Sequence, residues 1–210
     1  MKIPLVSAFL MMVFAWVGFS AEAEPWPQWR GVRRDATIND PSLVRELPAG
    51  PVERRWSVPV GPGYSGPTVA EGRVYLTDRQ GEESDVVERV LCFDAADGRL
   101  VWKHEDPVLY KIGYQASGPR AAVTIHEGKA ISAGGMGRLN CLDAATGDLV
   151  WSRDLNADYE IRMPVWGITA APLVYRDLVI QITGGKGDAC VVAFDLNSGE
   201  ERWRSLDERA

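Results

Sequence analysis

Cys92-Phe-Asp-Ala-Ala-Asp-Gly-Arg-Leu-Val-Trp102 is followed by Cys141-Leu-Asp-Ala-Ala-Thr-Gly-Asp-Leu-Val-Trp151 and by Ala193-Phe-Asp-Leu-Asn-Ser-Gly-Glu-Glu-Arg-Trp203. All three read small-x-Asp-x-x-(Thr/Ser/Asp)-Gly-x-x-x-Trp. The tryptophans recur at steps of 49 and 52 residues, and Trp56 precedes Trp102 by 46. A period of about fifty residues marks one supersecondary unit repeated along the chain. Asp94, Asp143 and Asp195 are placed to accept hydrogen bonds from their own turns, and Gly98, Gly147 and Gly199 to supply a positive φ.

Upstream of each copy lies a second shared piece: Pro67-Thr-Val-Ala-Glu-Gly-Arg-Val-Tyr-Leu76, Val123-Thr-Ile-His-Glu-Gly-Lys-Ala-Ile-Ser132, and Pro172-Leu-Val-Tyr-Arg-Asp-Leu-Val-Ile-Gln181. Two short β-rich runs flank a two-residue turn in each, which is a hairpin signal. Each period therefore supplies four strands. The first set is expected at 65–70, 73–78, 88–94 and 99–104, the second at 121–126, 129–133, 138–143 and 149–154. The third is expected at 170–175, 178–183, 189–195 and 200–204, and no segment is left for a helix.

The recurring Trp is the natural fastener between successive sheets. Burying an indole is worth roughly 2–3 kcal/mol, and the small residue ten positions earlier (Cys92, Cys141, Ala193) is expected to leave room for a neighbouring sheet's ring. Trp56, Trp102, Trp151 and Trp203 are thus read as docking residues, with Gly98, Gly147 and Gly199 shaping the turns. Equivalent positions on stacked sheets lie too far apart for a disulfide, so the three cysteines are read as free buried thiols.

This pattern resembles the tryptophan-docking repeat of β-propellers of the pyrroloquinoline-quinone type, over roughly residues 25–210. The opening Trp26-Pro-Gln-Trp-Arg-Gly31 is similar to the start of exported propellers of that superfamily. The resemblance implies an all-β propeller of four-stranded antiparallel blades packed face to face. Here that gives an incomplete ring: blade 1 at about 64–104, blade 2 at about 120–154, blade 3 at about 169–204, and one extra strand around Trp56. Relatives close with seven or eight blades, so the expectation is a piece of a longer product, or copies that associate through open blade faces.

Residues 1–23 read as a signal peptide. Lys2 precedes an apolar run from Ile3 to Phe19, and Ala21-Glu22-Ala23 is a small-x-small cleavage site. Residues 24–50 then form an N-terminal extension and 51–210 the partial propeller. The expected location is the periplasm, the cell envelope or the outside of the cell, with no transmembrane segment after cleavage. The chain has 210 residues, 46% apolar and 25% charged, with a net charge of −6 and no run of Lys or Arg, which argues against nucleic acid as a partner. Eight Trp against two His favours packing over acid–base or metal chemistry, and no metal site is expected.

Function in repeat folds gathers on the loop face. The long connections 104–120 and 154–169 carry Tyr110, Tyr114, Tyr159 and Trp166, expected at the mouth of a central funnel. Tyr64, Arg120 and Thr169 fall at equivalent positions before each innermost strand. These three, with Trp166 and Lys186, are the candidate ligand-binding residues. Gly134-Gly-Met-Gly137 and Gly184-Gly-Lys-Gly187 join strands rather than opening helices, so they are hairpin turns and not phosphate loops.

Two functions follow from different classes. The first is a non-catalytic exported scaffold that binds a protein or small ligand, similar to the propeller proteins of the outer-membrane β-barrel assembly machinery, with no cofactor. The alternative is a quinoprotein dehydrogenase, or a degenerate relative, using pyrroloquinoline quinone and calcium. Against the enzyme stand the lack of an adjacent Cys pair and of any acid set with calcium spacing.

Overall fold

The computed structural model describes residues 24–40, 43, 46, 49–82, 85–110 and 118–208. The signal-peptide reading (1–23) and Tyr114 lie outside the described residues. Three four-stranded antiparallel sheets follow one another along the chain, each a simple meander. Blade 1 is β1 (Thr68–Ala70), β2 (Arg73–Gln80), β3 (Val87–Asp94) and β4 (Leu100–Pro107). Blade 2 is β5 (Thr124–His126), β6 (Lys129–Ala133), β7 (Arg138–Asp143) and β8 (Leu149–Asp154). Blade 3 is β9 (Leu173–Tyr175), β10 (Leu178–Ile182), β11 (Val191–Asp195) and β12 (Glu201–Ser205). The chain is thus an open, partial β-propeller.

Local chemistry explains the strand boundaries. Glu71 and Gly72 take φ of 52° and 69°, and Glu127 and Gly128 take 46° and 70°, the paired positive φ that a tight two-residue hairpin requires. Asp143 Oδ1 accepts from Ala145 N at 2.8 Å and Thr146 N at 2.9 Å, and Asp195 Oδ1 does the same for Asn197 and Ser198. A register shift recurs after Cys92, Cys141 and Ala193, each directly opposite its own Trp.

Blades are fastened by tryptophan, but not where the sequence suggested. Trp102 donates Nε1–H to Ala144 O at 3.0 Å, and Trp151 to Leu196 O at 2.9 Å. Their rings lie on Gly147 and Gly199 of the following blade, where a Cβ would come within 2.7 and 2.6 Å. The neighbour's ring therefore meets the turn glycine, while the small residue accommodates the Trp paired with it across its own sheet. Cys92 and Cys141 are buried and Cys190 is half-buried. At the axis, Thr68 Oγ1 donates to Val123 O and Thr124 Oγ1 to Pro172 O, both at 2.6 Å, tying each innermost strand to the next.

Four expectations need correction. Trp56 docks on Gly98 and donates to Ala95 O at 3.0 Å, but its segment pairs with no strand among the described residues, so the extra strand is not formed. Trp203 is 40% exposed, against 7% for Trp102 and 8% for Trp151, because no following turn covers it among the described residues. A short helix, α1 (Leu155–Tyr159), does occur, capped by Asp154 accepting from Ala157 N. Finally, β4 runs to Pro107, past the expected end at 104, since it stays paired with β3 down to Val87. No helix among the described residues is long and apolar enough to cross a membrane.

Candidate functional site

Tyr64, Arg120 and Thr169 each stand four residues ahead of an innermost strand. The propeller turns that register into proximity, because the innermost strands converge on the axis. Arg120 and Thr169, with Tyr64, Trp29, Ala171 and Ile182, line a cavity of about 470 Å³. The Arg120 guanidinium lies 4.5 Å from the centroid of the Tyr64 ring and 5.4 Å from that of Trp166. A cation held against two aromatic faces is favoured by their quadrupoles and is fixed in direction. Its Nη1 donates to Gly118 O at 3.1 Å, and Arg120 is ion-paired with no carboxylate among the described residues. Tyr64 and Trp166 are each more than half exposed. The site can therefore present a positioned, multi-donor cation at the bottom of an aromatic rim, which suits a carboxylate or other planar anion.

Other candidates lie elsewhere. Lys186 is at the β10–β11 turn with Nζ 2.6 Å from Glu160 Oε2, and it does not line the cavity. Tyr159, on α1, is buried against Phe194 and donates its hydroxyl to Glu201 at 2.8 Å; it is a packing residue between blades 2 and 3, not part of a funnel mouth. Tyr110 turns inward and donates to Glu88. His104 and His126 lie 3.4 and 3.7 Å from Asp106 and Glu127. No three His, Cys, Asp or Glu side chains are grouped to hold a metal among the described residues.

Gly134-Gly135 proves to be a carboxylate notch. It is a hairpin turn, as its strands required, and it receives a side chain from the preceding blade. Glu88 Oε1 accepts from Gly135 N at 2.9 Å, and a Cβ on Gly134 would lie 2.2 Å from Oε2. Burial raises the Glu88 carboxyl above its ordinary range, opposed by the Tyr110 and Gly135 hydrogen bonds.

Sequence reasoning missed the N-terminal arm. Trp26 N donates to Val69 O at 2.7 Å and Val69 N to Trp26 O at 2.9 Å, and Ile125 N donates to Pro27 O at 2.7 Å. Trp29 then enters the cavity wall. The arm's signals were the likeness of Trp26–Gly31 to the start of exported propellers and the crowding of Trp26 and Trp29 into an otherwise polar opening.

The family model described as "Outer membrane protein assembly factor BamB" matches residues 51–209. Among solved structures, the chain is similar to a quinohemoprotein alcohol dehydrogenase from Comamonas testosteroni, at 25% identity and a TM-score of 0.51, over 69% of this chain and 21% of that one. It is also similar to a europium-containing methanol dehydrogenase, at 22% identity and 0.50, over 68% and 24%. A third is BamB from Moraxella catarrhalis, at 21% identity and 0.49, over 70% and 39%. The chain thus spans between 21% and 39% of the length of these relatives. No curated protein matches.

Proposed function

The chain belongs to the family described as outer membrane protein assembly factor BamB, and from that membership we propose an exported, non-catalytic propeller scaffold that binds its partner through the Arg120 face. The observation that supports it is the Arg120 guanidinium held between Tyr64 and Trp166 over an open cavity. Arginine and large aromatics are the side chains that dominate binding energy at protein interfaces. The proposal extends to the two outer blade faces as surfaces for further blades or a second copy. One is the apolar groove beside Trp56, Val74 and Phe93, and the other carries Trp203.

A second reading, a quinoprotein dehydrogenase, draws on the likeness to the Comamonas enzyme. The cavity lining does not fit it. A calcium ion needs several oxygen ligands, usually including carboxylates, and the described lining offers a guanidinium and the hydroxyls of Tyr64 and Thr169 but no carboxylate.

Purified chain mixed with pyrroloquinoline quinone and calcium separates the two readings. The scaffold reading expects no quinone absorbance after gel filtration and no dye reduction by alcohols; retention of the quinone with dye reduction overturns it. In parallel, Tyr64→Ala and Trp166→Ala are expected to change folding stability by no more than about 0.5 kcal/mol, as surface residues do. A loss of about 2 kcal/mol or more would assign both rings to packing instead.

A further inference from the structure

The middle residues of the three innermost strands are Val69, Ile125 and Val174, paired with Val74, Ala130 and Val179. Each lies one position in from the residues that close a two-residue hairpin. In such a hairpin the closing pair exchanges hydrogen bonds, and the next residue turns its N–H and C=O to the other edge. Those groups therefore face the propeller axis.

The arm satisfies them unevenly. On blade 1 it takes both groups of Val69 through Trp26, as an antiparallel bridge. On blade 2 it takes Ile125 N through Pro27 O. At blade 3 the arm's one hydrogen bond among the described residues comes from the Arg34 guanidinium, Nη2 to Val174 O at 3.4 Å. Among the described residues no backbone group pairs with the inner edge of β9.

Two cavities lie beside that edge: one of about 470 Å³ walled by Arg120 and Thr169, and one of about 190 Å³ walled by Leu173 and Arg34, with Trp29 and Ala171 common to both walls. A cation stands in each wall. Arg34 donates to Gln28 Oε1 at 2.6 and 3.0 Å, and neither it nor Arg120 is ion-paired among the described residues. Arg30 adds a third charge over the Trp29 ring, at 5.5 Å. These basic walls lie on a chain whose net charge is −6.

We propose that the inner edge of blade 3 takes up an extended acidic peptide as an added strand, with main-chain bonds at Val174 and carboxylates on Arg120 and Arg34. The inference rests on the reading of the Arg120 face as a binding surface and names its partner. Edge addition supplies affinity through the backbone, and side chains at fixed spacing supply selectivity. An extended strand advances about 3.4 Å per residue and turns successive side chains to opposite faces, so two carboxylates directed to the same side stand an even number of positions apart, here taken as six.

The test uses a fluorescein-labelled heptapeptide, Asp-Val-Thr-Val-Thr-Val-Asp, compared by anisotropy with its Asn-for-Asp counterpart and with a form N-methylated at the central residues. The Asp peptide is expected to bind about tenfold more tightly than the Asn peptide at low salt, the gap narrowing as salt screens the charges. Arg120→Gln and Arg34→Gln should each remove about threefold, with unchanged melting curves, and N-methylation should abolish binding. Equal binding of the Asp and Asn peptides, no binding of either, or full binding of the N-methylated form overturns the inference. None of these outcomes touches the scaffold reading, which fails on quinone retention and turnover.

Discussion

Gly147 meets two separate constraints. Its φ of +80° is one that a side chain opposes, and its absent Cβ leaves the space in which the Trp102 ring rests, 2.7 Å from where that carbon would be. Gly128 meets only the first, with φ of +70° and nothing within 4 Å. Comparing Gly→Ala at the two positions separates conformation from docking. Gly128→Ala is expected to cost about 1 kcal/mol, the penalty for left-handed backbone. Gly147→Ala should cost a further 1–3 kcal/mol or so, because the Trp102 ring must also move. Urea denaturation of both variants checks the difference; equal losses would mean that the ring tolerates a methyl group.

At the level of elements, the contact between β3 and the β6–β7 turn carries a pH dependence. The Glu88 carboxyl is raised by burial, so the folded chain keeps this proton over a range where the unfolded chain has lost it. Its contribution to stability is complete below the unfolded value of about 4.3 and declines as pH rises from there through the folded value. Glu88→Gln keeps an oxygen to accept from Gly135 and Tyr110 but removes the titration. Thermal melts from pH 4 to 8 should show the variant and the parent close together in acid and the variant gaining above pH 5. A parent that instead gains stability over that range would show the carboxylate to be the favoured form. The β6–β7 turn was readable as a hairpin because its glycines lie between two β-rich runs. Its use as a notch was not readable, since its occupant comes from 46 residues upstream on another blade.

Across the whole molecule the arm joins what the blade repeat leaves open. It crosses the inner edges of blades 1 and 2 and, among the described residues, hydrogen-bonds blade 3 through Arg34 alone. Deleting residues 24–37 is expected to lower stability by about 2 kcal/mol, in line with three backbone hydrogen bonds at about 1 kcal/mol each offset by the arm's regained freedom. Amide exchange should accelerate at Val69 and Ile125, whose N–H groups the arm accepts, and stay unchanged at Val174. Faster exchange at Val174 as well would mean that the arm holds blade 3 too.

The repeat, the four strands per unit, the turn aspartates and the role of the tryptophans as fasteners were legible in the residues because each depends on contacts within a few positions or on a regular period, whereas the turn glycine on which each ring rests lies on the next blade and was not. Chain order likewise fixed Tyr64, Arg120 and Thr169 at matching places ahead of their strands. What required the folded chain were features made by residues far apart in sequence. Among these are the gathering of those three around one cavity, the arm across the axis, the burial of Tyr159, the turn of Tyr110 onto Glu88, and the exposure of Trp203. A periodic pattern specifies a sheet and its partner face, but convergence on a common axis is a property of several sheets stacked with a twist. An indole at the end of a repeat has the same sequence whether or not a turn comes to cover it, so its burial is decided by the neighbour alone.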